Sequence, residues 1–174
     1  IGLEGLSYDP LTKGFIFVKE AGPIGVFQTT LDFANNVASN GSATTENSAN
    51  LFDPALLGLS DVADVFALSN IPSLAGTAEA DNLLIISQEE GRIVKVDRAG
   101  NILSELVIQT DAGNPLGVAD QQLEGITVDR NGFIYVVNEN GGGDADHPQL
   151  WVYAPADFPN AAPTAITLGN ALSA

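Results

Sequence analysis

The feature that most limits what this chain can fold into is a two-strand unit written near each end. The first copy is Glu4-Gly5-Leu6-Ser7-Tyr8-Asp9, a turn at Pro10 to Gly14, then Phe15-Ile16-Phe17-Val18-Lys19-Glu20. The second is Glu124-Gly125-Ile126-Thr127-Val128-Asp129, a turn at Arg130-Asn131-Gly132, then Phe133-Ile134-Tyr135-Val136-Val137-Asn138-Glu139. Acid, glycine, apolar residue, hydroxyl, apolar or aromatic residue and Asp recur in order, followed by a turn and an apolar strand that leads to Glu. Self-similarity of this length marks a repeat architecture. A looser copy lies between. Val62 to Leu68 is strand-like, and Asn82-Leu83-Leu84-Ile85-Ile86-Ser87-Gln88-Glu89 repeats the second strand. Here Ala63-Asp64 stands where the other copies have Glu-Gly, and Asn70 to Asp81 reads as an enlarged turn.

Each copy continues into a third strand, at Pro23 to Leu31, Arg92 to Asp97 and Gln149 to Ala154. A hairpin at Arg98-Ala99-Gly100-Asn101 leads into a fourth strand over Ile102 to Ile108. The strands are short, β-branched or aromatic, and punctuated by Gly, Asn, Asp and Pro. No long apolar pattern of period 3.6 competes with them, although Pro54 to Ala67 has room for a helical turn. Four-stranded antiparallel units in series are propeller blades, and the expected fold is an all-β propeller with about three blades, over 1–50, 51–110 and 111–155. Closed propellers have roughly four to eight blades. A six-bladed ring is therefore expected, with further blades or a second copy closing it; an open stack would expose its flanks and aggregate. Residues 156–174 read as a linker towards a further module. Within them, Ala162 to Leu168 resembles the lead-in strand of cadherin-like or immunoglobulin-like repeats. Asn35 to Asn50 and Gly141 to Pro148 read as surface loops.

Composition narrows the function classes. The 174 residues carry 22 Asp and Glu against six Lys and Arg, a net charge of −16. Such a surface repels phosphate backbones, which excludes nucleic acid as a partner. It suits solubility and divalent cations. No apolar run is long enough for a membrane span. Cysteine is absent and His147 is the single histidine, so thiolate sites are excluded and a histidine-based triad would rest on one residue. Cysteine-free chains that open on Ile rather than Met fit a processed or longer exported product, so a secreted, periplasmic or cell-surface bacterial location is expected.

The order Glu-Gly-Leu-Ser-Tyr-Asp, Phe-Val-Lys-Glu, Ile-Ile-Ser-Gln-Glu and Leu-Glu-Gly-Ile-Thr-Val-Asp with Ile-Tyr-Val-Val-Asn-Glu resembles the bacterial SdiA-regulated family. That family is related to esterase-like phytases and, more distantly, to gluconolactonase-type propellers. The likeness runs from about Gly2 to Ala154 and matches the C-terminal half of the family's propeller. Gluconolactonase-like relatives use the Glu of a Glu-Gly motif, at the top of an innermost strand, to bind a divalent cation on the ring axis. The resemblance therefore implies a similar place for Glu4 and Glu124. The middle copy departs from the motif.

The residues themselves allow two readings. Acids that begin the innermost strands of different blades converge on the axis, where Glu4, Asp64 and Glu124 would repel one another unless a cation or protons intervene. Ca²⁺ takes six to eight oxygens in loose geometry and suits such a ring, with Glu139 as a further ligand. The competing reading has these acids capping strand ends. Glu20, Glu89 and Glu139 likewise either hold an adjacent loop or line the channel mouth, where Asn138 and Asn140 add neutral oxygens. Asp144 and Asp146 lack the spacing of a Ca²⁺ loop. Trp151 and Tyr153 fit blade packing. The expected function is a Ca²⁺-associated module that binds a small molecule or protein. The alternative is a metal-dependent hydrolase of phosphoesters or lactones, with Glu139 or Asp64 as general base.

Overall fold

The two Glu-Gly segments and the Asp64 segment become the three innermost strands of a propeller. The structure is a computed structural model that describes residues 2–39, 49–108, 119–140, 148–155 and 164–167. The first blade is β1 (Leu3–Asp9), β2 (Gly14–Lys19), β3 (Gly25–Asp32) and β4 (Val37–Ser39). The second is β5 (Asp64–Ala67), β6 (Leu83–Ser87), β7 (Arg92–Val96) and β8 (Ile102–Val107). The third is β9 (Leu123–Val128), β10 (Ile134–Asn138), β11 (Gln149–Tyr153) and β12 (Thr164–Thr167). Every sheet is antiparallel, with its strands in chain order. β5 packs against both β1 and β9, which places the second blade between the other two.

The sequence of β6 shows why. Leu-Leu-Ile-Ile-Ser is buried throughout, and alternate residues of a strand point to opposite faces. Leu83 and Ile85 join Ile16, Val18 and Val26 of the first blade in one core cluster. Leu84 and Ile86 join Leu123, Ile126, Val136 and Trp151 of the third blade in another. A strand covered on both faces needs a continuous apolar run, whereas the edge strand β8 is mostly exposed. Phe52, Leu57 and Val62, from the segment that joins the first two blades, complete the first cluster.

Local signals place the connections. Pro54–Leu57 forms the expected helical turn, a 3-10 turn whose Ala55 N–H is capped by the Asp53 carboxylate at 3.1 Å. The enlarged turn between β5 and β6 is built from three 3-10 turns, Leu68–Asn70, Pro72–Leu74 and Ala78–Asp81. Two expectations are corrected. Val37–Ser39, read as loop, pairs with Thr30 to Asp32 as β4. Thr164–Thr167, read as part of a linker, pairs with Gln149 to Val152 and gives the third blade its fourth strand. Both are short edge strands whose partner is fixed by the neighbouring strand rather than by an alternation of their own. His147, Asp144 and Asp146 lie outside the described residues, as does 40–48 of the first surface loop.

Candidate functional site

The two motif glutamates share one local device. In β1, Leu3 pairs with Lys19 and Leu6 with Phe17, so two residues, Glu4 and Gly5, face one on β2. In β9, Leu123 pairs with Asn138 and Gly125 with Val137, leaving Glu124 as the extra residue. Both glutamates therefore sit in β-bulges, which re-aim a side chain and increase local twist. β5 pairs with β6 in regular register. The blade without Glu-Gly is also the one whose innermost strand pair has no bulge. A second equivalence follows the outer ends of β2 and β10. The Glu20 N–H donates to the Gly2 carbonyl at 3.2 Å, and the Glu139 N–H donates to the Gln122 carbonyl at 3.0 Å. In each case the acceptor stands two residues before the bulged glutamate, so Glu4 and Glu20, like Glu124 and Glu139, are brought to the same end of the innermost strands.

The electrostatics record that convergence. Partial burial, then the charges of Glu139, Glu4, Glu20 and Asp61 in that order, push the Glu124 carboxyl above its ordinary value. Glu4, Glu124 and Glu139 are exposed at this mouth. Asp61, which sequence reasoning passed over, is buried. Its carboxylate accepts the Gln88 N–H at 3.0 Å, the Glu89 N–H at 3.1 Å and the Ser87 hydroxyl, and so fixes the turn after β6. Glu89, in that turn, accepts the Ser60 hydroxyl at 2.8 Å. It stands two residues beyond β6, unlike Glu20 and Glu139, which directly follow their strands.

Asp64 is turned to a different task from the axial role expected of it. Its Oδ2 accepts the Ile126 N–H of β9 at 2.8 Å, and its Oδ1 accepts its neighbour Val65 N–H at 2.8 Å. The Leu6 N–H of β1 donates to the same carboxylate. Burial raises its carboxyl above the ordinary value in spite of these three bonds, from Ile126, Val65 and Leu6. Backbone donors thus engage both oxygens, and Asp64 serves here as an acceptor between blades.

Gly5 explains how the carboxylate fits. A Cβ on Gly5 would overlap the Asp64 carboxylate and come within 2.5 Å of its Cα. A Cβ on Gly125 would lie 2.8 Å from Val137 Cγ2 and 3.7 Å from Asp64 Oδ2. Gly5 thus allows close approach of the central strand, while Gly125 makes room for Val137 in its own blade.

The opposite end of the first interface is polar but serves packing. Ala67 N–H donates to Ser7 Oγ at 3.0 Å and Asn70 Nδ2 to the Tyr8 carbonyl at 2.6 Å. Asp9 accepts Ser69 Oγ at 2.8 Å and Arg98 Nη1 at 2.9 Å. A separate cleft of about 270 Å³ between the second and third blades is lined chiefly by Leu68, Ile71, Leu84, Ile93, Val128 and Ile134. It lies away from the mouth acids.

The donor chemistry of the mouth fits a hard cation, since carboxylates are the usual Ca²⁺ ligands. Among the described residues, however, no three His, Cys, Asp or Glu side chains stand close enough together to hold a metal ion. A cation would have to draw Glu4, Glu124 and Glu139 inward from their present positions.

Comparison with known proteins accords with this architecture. A solved structure from Bacteroides uniformis, described as a candidate 6-phosphogluconolactonase, aligns with a TM-score of 0.51 at 11% sequence identity. The alignment covers 94% of this chain and 39% of that one, so the chain spans about two fifths of the protein it matches. At this identity the likeness speaks for the fold. The sequence profile described as SdiA-regulated matches residues 1–141. The match takes in both Glu-Gly motifs and most of the three blades, and the chain belongs to the SdiA-regulated family.

Proposed function

We propose that this propeller is a Ca²⁺-associated binding module of an exported or cell-surface protein, and that its ligand, a small molecule or a protein, docks at the acidic mouth. The reading is carried by one observation: the bulged Glu4 and Glu124 and the strand-end Glu20 and Glu139 of the first and third blades lie at the same end of the innermost strands, where partial burial and then these neighbouring charges raise the Glu124 carboxyl. Like charges held at that spacing favour a compensating cation. Glu4 and Glu124 would be its first ligands, and Glu139 the third. Further blades, from the same polypeptide or a second copy, would complete the ring around the site.

Calorimetric titration with Ca²⁺ and melting with and without a chelator test the reading. Binding weakened at least tenfold in Glu124→Gln is expected, as is a chelator-sensitive melting temperature. A chain that binds no Ca²⁺ and melts identically under both conditions would remove the proposal.

A metal-dependent hydrolase is the second reading, favoured by the description of the Bacteroides uniformis neighbour. A bound cation would supply charge stabilisation to a phosphoester or lactone. Glu139, exposed at the mouth, would accept the proton of the attacking water. Asp64 is less suited to that role, because backbone donors occupy it. Turnover of a generic lactone or phosphoester, lost in Glu124→Gln, would favour this reading over inert binding.

A further inference from the structure

We infer that Asp64 is a positioning residue: its carboxylate, seated where Gly5 of the first motif leaves room, ties the bulged strands of the flanking blades together and so aims Glu4 and Glu124 into the mouth. The inference deepens the proposed mouth site and rests on it only for the cation.

Three observations carry it. First, one carboxylate receives the N–H of Leu6 and of Ile126. These residues occupy the same place in the two copies of the motif, each two positions after its glutamate. Second, Gly5, between glutamate and donor in the first motif, is the residue whose Cβ would overlap the Asp64 carboxylate, whereas a Cβ on Gly125 would meet Asp64 only at ordinary contact distance and would be blocked by Val137. Third, both glutamates lie in bulges, where the ladder is locally interrupted and does not itself set the direction of the side chain. The N–H two residues beyond each bulged glutamate is pinned to the same acceptor, and that acceptor belongs to the innermost strand that lacks both motif and bulge. The departure of the middle copy from Glu-Gly is therefore what allows its two neighbours to keep theirs. A third glutamate in a bulge at this position would leave both donors without their shared acceptor.

The absence of cysteine makes the geometry measurable, since labels can be placed at chosen sites alone. Spin labels on Glu4→Cys and Glu124→Cys are expected to give a narrow distance distribution. It should broaden in Asp64→Asn, in which one oxygen is replaced by a donor that opposes an N–H. The control is Asn70→Ala, which removes a bond at the far end of the first interface. It is expected to lower the melting temperature yet leave the distribution narrow. In parallel, Ca²⁺ affinity of unlabelled protein should fall at least tenfold in Asp64→Asn and stay within twofold in Asn70→Ala.

In the wild-type chain the amides of Leu6 and Ile126 should be protected from hydrogen exchange, and both should lose protection in Asp64→Asn. If that variant does not fold, protection of only one of the two wild-type amides overturns the inference. An unchanged distance distribution in folded Asp64→Asn overturns it equally. A wild-type chain that binds no Ca²⁺ while the distances respond as expected would sink the cation reading and leave the positioning role standing.

Discussion

Asp9, buried, and Asp64, half-buried, are carboxylates in neighbouring innermost strands, and their surroundings push them in opposite directions. Burial alone would raise the Asp9 carboxyl, but hydrogen bonds from Arg98, Ser69 and Thr12 and the Arg98 charge outweigh it and hold the group below its ordinary value. Asp64 has only backbone donors and no cation, so burial wins. The signs for stability differ accordingly. Asp9 contributes stability above its unfolded value near 3.8 and loses it as pH falls through the lower folded value. Asp64 does the reverse: its contribution is full at low pH and declines as pH rises through its raised folded value. Replacing Asp9 with Asn leaves Arg98 without its charged partner and should cost about 3 kcal/mol at pH 7, the low end of the range for breaking a buried pair because Arg98 is partly exposed. Denaturant unfolding at pH 7 and near pH 3 checks this. The gap between variant and wild type should narrow on acidification, and a gap that stays constant would show that the Asp9 charge is not the source.

At the scale of elements, β6 is the strand on which both cores depend. Ile85→Ala and Ile86→Ala remove fully buried side chains from different clusters. Each should cost about 2–5 kcal/mol, whereas Ile102→Ala on the exposed β8 should stay within about 0.5 kcal/mol. Equilibrium unfolding of the three variants decides it, and equal costs would mean that the clusters are not the core. Gly5→Ala should cost about 1–3 kcal/mol by overpacking against Asp64, measured in the same way. The strands of the cores were readable from the chain because alternation and turn residues are local signals. β6 announces burial on both faces by its unbroken apolar run. β4 was not readable, being short and without alternation, and β12 was read as a strand but assigned to a further module rather than to the third blade. The repeated Glu-Gly was visible as a motif, but the reason for its glycine in the first copy was not. That reason is a carboxylate that arrives at Gly5 from Asp64, on another blade, and nothing within the motif points to it.

At the scale of the whole molecule, the far face of the first blade has no partner among the described residues, and its chemistry predicts how the chain behaves in solution. Ile16, Val18 and Val26 point into the first core, so their strand neighbours Phe15, Phe17 and Phe27 point away from it. Tyr8 and Phe15 meet edge to face at 5.4 Å, and Phe17 and Phe27 stack at 5.1 Å. Leu6 is 65% exposed and Tyr8 47% exposed beside them. Covering a side chain of this size is worth about 1.5–3 kcal/mol, which favours association. A net charge of −16 per chain opposes it. The opposing force is screened by salt, with a Debye length of about 10 Å at 0.1 M falling to about 3 Å at 1 M, whereas the apolar attraction is not. Sedimentation velocity should therefore show a smaller average mass at low ionic strength and a larger one in about 0.5 M NaCl. Tyr8→Lys, which places a charge on the exposed face, should abolish the salt-induced rise without changing the melting temperature by more than a few degrees. A wild-type chain that remains monomeric at every salt concentration would show that this aromatic face is too small or too ordered to drive association.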